Sequence, residues 1–334
     1  MITCIGGLRR PAPLLMKAFN DSVWRELHTS SLLPAMNKPM LPTAINVQTP
    51  LLNPTIKTVG IVGLGLIGGC LALDLKRLGY TVYGVARRMA TVNAALENSV
   101  VTQAGCDLAL MAQVDIVFVC TPMALIVPTV GQLATHLSES AIVTDVGSIK
   151  GEIVVAATDL WPNFVGGHPM AGKAEAGLAA AEACLFRGRP YVVTPIETTS
   201  SAAVDTVIAI ATQLGSQVYR STPLAHDQAV AAISHLPVMV SAALLHTCLS
   251  EPDAEVKTLA QEIASSGFCA TSRVGGGNPE LGMMMAQLNR SALLQILQQY
   301  RHQLDAIIGL IETEQWGGLQ QRLTVAQQDR PKYL

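Results

Sequence analysis

The residues from Thr58 to Val62 form a short β-branched run that leads directly into a glycine pattern, Gly63-Leu-Gly65-Leu-Ile-Gly68. Apolar residues then recur at helical spacing before a second β-like run begins. A strand, a glycine turn, a helix and a second strand in this order form the βαβ unit that binds dinucleotides. This feature predicts an α/β domain with a largely parallel sheet and a nucleotide site at the glycine turn.

Each part of the glycine pattern has its own physical task. Gly63 permits a tight turn, Gly65 lets the backbone approach a pyrophosphate, and Gly68 allows close packing of the helix on the strand. The free N–H groups at the start of the helix can bind phosphate oxygens. We therefore predict a cofactor-binding segment made of Gly63, Gly65, Leu66, Ile67 and Gly68. The alternative is a glycine-rich turn that binds no ligand.

The end of the second strand indicates which dinucleotide is bound. NAD sites usually place Asp or Glu there, about 20 residues after the glycines, to accept hydrogen bonds from the ribose 2′-OH. This chain has Val85-Ala86-Arg87-Arg88 instead. Without a carboxylate to repel a 2′-phosphate, and with two guanidinium groups to bind it, NADP is favoured over NAD. Arg87 is the better candidate than Arg88, and the alternative is that one or both are solvated surface charges.

Composition excludes several classes of partner. The chain has 334 residues and a net charge of −2, which gives no reason to expect nucleic acid or an anionic membrane as a partner. Its 7 cysteines are odd in number and contain no CxxC spacing, so the pattern predicts neither a disulfide framework nor a zinc site. We expect no metal and a reducing, cytoplasmic location.

Residues 228–250 carry no formal charge, and about 20 apolar residues can span a bilayer. However, polar residues and a proline interrupt this isolated run. It therefore predicts a helix buried in a protein or in a dimer, not a membrane span.

Residues 1–54 differ from the rest of the chain, because they contain many prolines and no sustained periodicity. We predict a disordered extension, with a targeting or docking segment as the alternative. Strand-like runs then alternate with helical or turn-rich spacers, which predicts a doubly wound Rossmann domain over residues 55–221. These predicted strands are, in chain order, 58–62, 81–86, 115–120, 141–145, 164–167, 191–194 and 217–220.

Residues 222–334 have a helical pattern and are predicted to form an all-α domain for dimerisation and substrate binding. In the last long segment, apolar residues at steps of four and three line one helix face: Leu293, Leu297, Tyr300, Leu304, Ile307 and Ile311. Such a face is either core or a subunit contact. Because so many faces are apolar in so small a domain, a homodimer is favoured over a monomer.

Two strand ends carry residues suited to proton transfer. Ser148 follows the fourth predicted strand, and His168 ends the fifth, where ligands bind open α/β sheets. A histidine there can accept a proton from a substrate hydroxyl, and a neighbouring serine can orient its ring. The structural alternative for His168, which precedes Pro169, is a turn residue.

The helical part adds His235 and Arg273. A histidine in an uncharged helix is more often a satisfied core residue than a ligand. Arg273 stands beside three glycines and has few acidic neighbours in sequence, so it is a plausible clamp for a substrate carboxylate, with surface exposure as the alternative.

Together these segments resemble the arogenate/prephenate dehydrogenase family of tyrosine biosynthesis over roughly residues 57–333. The matching motifs are VGLGLIG at 62–68, CTP at 120–122, TDVGSIK at 144–150, GGHPMAG at 166–172, HDQAVAAISHLP at 226–237 and TSRVGGGNPELG at 271–282. The resemblance implies that His168 is catalytic and Ser148 its orienting partner. It also implies that Arg273 and His235 bind substrate. We further predict that Thr121 of the CTP motif binds the cofactor.

The family chemistry is an oxidative decarboxylation of a cyclohexadienol, in which the hydride passes to the nicotinamide and the ring aromatises. Some prephenate-using relatives carry an acidic residue six places after the catalytic histidine, where this chain has Ala174. With the resemblance to cyanobacterial NADP-dependent members, this departure favours arogenate, and therefore tyrosine as product, over prephenate.

Two other classes remain open at this point. A β-hydroxyacid dehydrogenase generally uses a lysine of the helical domain, but this helical part offers only Lys257 and Lys332, outside the shared motifs. A non-enzymatic NADP-binding regulator would leave the His168, Ser148 and Arg273 set without a purpose.

Overall fold

The computed structural model describes residues 56–173 and 175–333. The predicted extension over residues 1–54 lies outside the described residues. The remainder begins with an eight-stranded sheet, in the order β3-β2-β1-β4-β5-β6-β7-β8. Its strands are β1 Thr58–Val62, β2 Thr81–Val85, β3 Gln103–Gly105, β4 Ile116–Val119, β5 Ile142–Asp145, β6 Phe164–Pro169, β7 Pro190–Thr194 and β8 Gln217–Arg220.

Strands β1 to β6 run parallel, whereas β7 pairs antiparallel with β6 and parallel with β8. The three-residue strand β3 was not predicted from the sequence, since so short a run shows no periodicity. Five helices connect the strands: α1 Leu66–Arg77, α2 Met89–Glu97, α3 Met123–Leu133, α4 Gly151–Leu160 and α5 Ser201–Gln213.

Successive strand residues point to opposite faces of the sheet, and this divides the core into two layers. Ile116 and Phe118 of β4 pack with the cluster that includes α1 and α5. Val117 and Val119 pack with the cluster that includes α3 and α4. Because both faces are covered, β4 is apolar along its whole length, as expected for a parallel strand.

Helices follow from residue 223 onward, as the sequence pattern predicts. They are α6 Pro223–Val230, α7 Leu236–Leu249, α8 Ala254–Ile263, α9 Ser266–Ser272, α10 Pro279–Leu288, α11 Arg290–Glu312 and α12 Trp316–Asp329. A π-helical turn, Ala231–His235, joins α6 to α7. The predicted fold class, a Rossmann domain followed by an all-α domain, is confirmed.

The continuous helical run Pro223–Leu249 is long and apolar enough to cross a membrane, as judged by length and composition alone. Its first turns contact the Rossmann domain through buried polar groups, described below. The absence of a membrane partner stays a prediction.

Helix α11 packs on the π-turn and on α10 at its N-terminal end, where Leu293 is buried. Further along the same face, Tyr300, Leu304 and Ile311 are 39%, 44% and 48% exposed. The predicted apolar stripe therefore exists, but a single chain covers only its first part.

Candidate active site

The glycine turn after β1 has the geometry that its sequence predicts. Gly63 has a φ of +105°, a conformation that side chains disfavour, and its N–H donates to the carbonyl oxygen of Val85 at 2.8 Å. A Cβ on Gly63 would lie 2.6 Å from the carbonyl oxygen of Cys120. Both the backbone angle and the crowding therefore require glycine here.

Gly68 and Gly65 differ in what surrounds them. A Cβ on Gly68 would overlap the carbonyl oxygen of Gly63, whereas a Cβ on Gly65 would meet nothing within 4 Å. Helix α1 starts at Leu66, with Ile67 next, and Gly65 provides no side-chain cap for it. The free N–H groups and the open space beside Gly65 fit a dinucleotide pyrophosphate.

Arg87 and Arg88 follow β2 directly, and both are exposed. Neither forms an ion pair with any residue in the part of the chain that the structure describes. Their guanidinium groups are therefore free to bind an anion. Thr121 follows β4 beside the glycine turn, where its backbone nitrogen lies 3.0 Å from the position of a Cβ on Gly63.

The ends of β5 and β6 are held together by a buried ion pair. Lys150 donates to the carboxylate of Asp145, and both side chains are fully buried. Lys150 Nζ also donates to the carbonyl oxygen of Gly167 at 2.9 Å, and the Gly167 N–H donates to Asp145 Oδ1 at 3.1 Å. These bonds fix the backbone directly before His168.

His168 is buried and lies one residue before the end of β6, paired with Val192 of β7. Its Nδ1 is 2.8 Å from Nε2 of His226, on α6. The two rings meet edge to face, with centroids 5.1 Å apart and an interplanar angle of 74°. His226 Nδ1 is in turn 2.8 Å from Oδ1 of Asp227. The structure thus forms a chain from Asp227 through His226 to His168.

Asp227 also contacts the start of α4. Its Oδ1 accepts the backbone N–H of Lys150 at 2.8 Å, and its Oδ2 accepts that of Gly151 at 2.7 Å. An added Cβ on Gly151 would lie 2.9 Å from Oδ2. The approach of the helical region to the strand ends is therefore close and directional.

His235 ends the π-turn and is fully buried. Asn289 donates one amide hydrogen to the carbonyl oxygen of Asp227 at 2.8 Å, and its Nδ2 is 3.2 Å from His235 Nδ1. Nδ1 is therefore the acceptor, and Nε2 carries the hydrogen. This Nε2 has no hydrogen-bond partner among residues 56–173 and 175–333. π-turns are frequent at functional sites.

Burial controls the protonation of these groups. It is the main reason that the pKa of His168 lies well below its usual value, and the charges of His226, Lys150 and His235 act in the same direction. Burial also lowers the pKa of His235, against the opposing effect of Asp227. The two histidines are therefore neutral at neutral pH.

Two predicted site residues do not contact His168 in this structure. Ser148 Oγ donates to Met123 Sδ at 3.1 Å, while the Nδ1 of His168 is taken by His226. The predicted orienting bond from Ser148 is thus absent among the described contacts. Arg273 follows α9 and is exposed, and no described contact links it to His168 or His235.

The comparisons with known proteins agree with this architecture. The nucleotide-binding domain of prephenate dehydrogenase matches residues 71–220, and its dimerization domain matches residues 222–325. The chain belongs to the prephenate dehydrogenase family. Members of this family are oxidoreductases, and the solved structures that resemble this chain include an arogenate dehydrogenase.

Individual members of the prephenate dehydrogenase family give the degree of similarity. The crystal structure of Synechocystis arogenate dehydrogenase is 51% identical, covers 83% of this chain and 100% of its own, and has a TM-score of 0.78. Prephenate dehydrogenase of Aquifex aeolicus, solved with hydroxyphenyl propionate and NAD+, is 26% identical, covers 84% of this chain and 99% of its own, and has a TM-score of 0.79. Prephenate dehydrogenase of Bacillus subtilis is 28% identical over 79% of this chain and 72% of its own length.

The sequence prediction of the site omitted His226, Asp227, Asn289 and the Asp145–Lys150 pair. A histidine and an aspartate side by side near the start of an otherwise uncharged helical run were an available signal for the first two. The role of Asn289 had no local signal, because its partners lie 54 and 62 residues away.

Proposed function

We propose that this protein oxidises arogenate with NADP and releases tyrosine, CO2 and NADPH. The observation that carries the substrate is the 51% identity to Synechocystis arogenate dehydrogenase across all of that chain. The absence of an acidic residue at position 174, where some prephenate-using relatives carry one, supports the same choice.

Arg87 and Arg88 carry the choice of NADP. They stand at the end of β2 without a neighbouring carboxylate that would compete for a 2′-phosphate, and both are exposed and unpaired among the described residues. NADP, when bound, accepts the hydride that leaves C4 of the substrate. The glycine turn, with Leu66, Ile67 and Thr121, would hold its pyrophosphate and ribose portions.

His168 would serve as the base in this proposal. As the C4 hydride leaves, the Nε2 of His168 accepts or shares the proton of the C4 hydroxyl group. Loss of CO2 from C1 then returns an electron pair to the ring, and the proton goes back to the oxygen to give the phenol. Atoms and charge balance without a metal or a covalent intermediate.

Two further residues would bind the substrate. His235 presents an unpartnered Nε2–H in a buried position, so it can donate a hydrogen bond to a substrate oxygen. Arg273 would bind an anionic group of the substrate, which its guanidinium suits. Ser148 follows the same strand end as Lys150, and its hydroxyl would contact the C4 hydroxyl of bound substrate beside His168.

Prephenate is the second candidate substrate, with 4-hydroxyphenylpyruvate as its product. It is favoured by the curated relatives from Bacillus subtilis and Lactococcus lactis, which are prephenate dehydrogenases. The Aquifex aeolicus complex with NAD+ likewise keeps NAD as the second candidate cofactor.

The test is a steady-state assay of nicotinamide reduction with each of the four pairs of substrate and cofactor. We expect kcat/KM to be highest for arogenate with NADP. A higher kcat/KM with prephenate would overturn the substrate, and a higher kcat/KM with NAD would overturn the cofactor. No turnover with any pair would overturn the catalytic proposal and favour a regulator.

We also propose that the protein is a homodimer, with domains over residues 55–221 and 222–334. The exposed apolar stripe of α11, which includes Leu304 and Ile311, would lie in the subunit contact. A match to a family dimerization domain over residues 222–325 supports this arrangement.

A further inference from the structure

The contact between His168 and His226 joins the last residues of β6 to α6, across 58 residues of sequence. Both rings are buried, so neither nitrogen in the contact can exchange its partner for bulk water without movement of the chain. In such a contact one nitrogen must donate and the other must accept.

The carboxylate of Asp227 decides which nitrogen donates. Both of its oxygens already accept backbone N–H groups, Oδ1 from Lys150 and Oδ2 from Gly151. Because Oδ1 acts as an acceptor, the Nδ1 of His226 must carry the hydrogen that lies between them. In the neutral His226 ring, Nε2 is then a bare acceptor.

The same logic extends to His168. Because Nε2 of His226 accepts, Nδ1 of His168 must donate, and the neutral His168 ring has its bare nitrogen at Nε2. Nε2 of His168 is therefore the ring nitrogen that is available to a substrate. The opposite tautomer would present an N–H to the substrate hydroxyl and could not take its proton.

We propose that His226, oriented by Asp227, is a positioning residue that holds His168 in the tautomer with a bare Nε2. This inference rests on the proposed role of His168 as the base. When His168 gains a proton, its Nδ1–H remains bonded to Nε2 of His226, and the other nitrogen of the His226 ring remains bonded to the carboxylate of Asp227. Reaction therefore requires no rearrangement of this chain of bonds.

His226→Leu removes the hydrogen-bond acceptor and fills the buried position with an apolar side chain of moderate size. We expect kcat to fall by about 10- to 100-fold, the range for loss of a hydrogen-bond partner that orients a metal-bound histidine. The KM for NADP should stay within twofold, because the glycine turn and Arg87 are on other elements. His226→Gln can accept through Oε1 and should recover most of the lost kcat.

His136→Leu is the matched control, since His136 is an exposed histidine of the Rossmann domain after α3. It should leave kcat unchanged. Retention of kcat within twofold in His226→Leu would overturn the proposal, as would equal losses in His226→Leu and His226→Gln. Circular dichroism and thermal unfolding show whether each variant is folded.

A second measurement tests the tautomer without turnover. Two-dimensional ¹H–¹⁵N spectra of the wild-type protein labelled in histidine, with His168→Asn for assignment, should show His168 protonated at Nδ1 and bare at Nε2. An Nε2-protonated His168 would overturn the proposal, even if His226→Leu failed to fold. Because this readout needs no substrate, a correct tautomer with no turnover would instead indicate that the proposed function fails.

Discussion

The carboxylate of Asp227 accepts the backbone N–H of Gly151, the first residue of α4, at 2.7 Å. Helix α4 has no capping side chain of its own at its start, so a residue of α6 satisfies its free N–H groups instead. The bond joins the two domains at the strand ends, and it places the adjacent His226 against His168. Structural anchoring and alignment of the candidate site therefore depend on the same side chain.

Gly65 and Gly68 should respond differently to alanine. Gly65→Ala places its methyl group in open space, so the protein should fold normally but bind NADP at least about tenfold more weakly, because the methyl group obstructs the pyrophosphate. Gly68→Ala should lower the free energy of unfolding by about 1–3 kcal/mol through overpacking against Gly63. Fluorescence titration with NADPH and urea unfolding measure the two effects, and equal stability losses in both variants would contradict this assignment.

Arg87→Ala should weaken NADP binding by about 1.5–3 kcal/mol, the scale of a hydrogen bond between charged groups, while NAD binding changes little. The reason is that only NADP carries the 2′-phosphate. Kd values for both cofactors provide the measurement, and Arg189→Ala, at another exposed arginine, is the control. Equal weakening of NAD and NADP would exclude a 2′-phosphate contact.

His168→Asn should lower kcat by about 10² or more, because a general base contributes on that scale. NADP affinity should remain close to that of the wild type, since His168 does not contact the glycine turn. Steady-state kinetics and cofactor titration on the same preparation separate the two effects. Turnover within twofold of the wild type would remove His168 from the mechanism.

Stability should fall with acid below about pH 6.5, the ordinary pKa of histidine. The pKa values of His168 and His235 are lowered in the folded protein, so the unfolded chain binds their protons first. Protonation of His168 then favours unfolding by about 1 kcal/mol between about pH 6.5 and 5.5, and protonation of His235 adds to this until its own folded pKa is reached. Urea unfolding at several pH values measures this slope, which should be shallower in His168→Asn; an unchanged slope would show that His168 does not contribute.

Leu304→Lys should convert the proposed dimer to a monomer or weaken it by at least about tenfold, because it places a charge on the exposed apolar stripe of α11. Size-exclusion chromatography with light scattering gives the mass. His302→Lys, on the opposite face of the same helix, should leave the mass unchanged. A dimer of undiminished stability in Leu304→Lys would place the subunit contact elsewhere.

Predictions from local pattern agreed best with the structure where the pattern itself determines backbone geometry. The glycine turn at Gly63 and the helical region from residue 223 follow from spacing and from the conformational freedom of glycine. The predicted link between Ser148 and His168 does not appear in the structure, since the serine hydroxyl has Met123 as its partner instead. Side-chain direction at a strand end depends on neighbours that local sequence does not specify.

The sequence by itself determined the βαβ unit, the family, and the placement of His168 at a strand end, because these depend on periodicity and on motifs that lie within single elements. Only the tertiary structure decided that His226 contacts His168, that Asn289 contacts His235, and that Asp227 spans both domains. Hydrogen bonds between elements depend on how the two domains pack. Their directions, and the tautomers that follow from them, arise when burial removes water as an alternative partner.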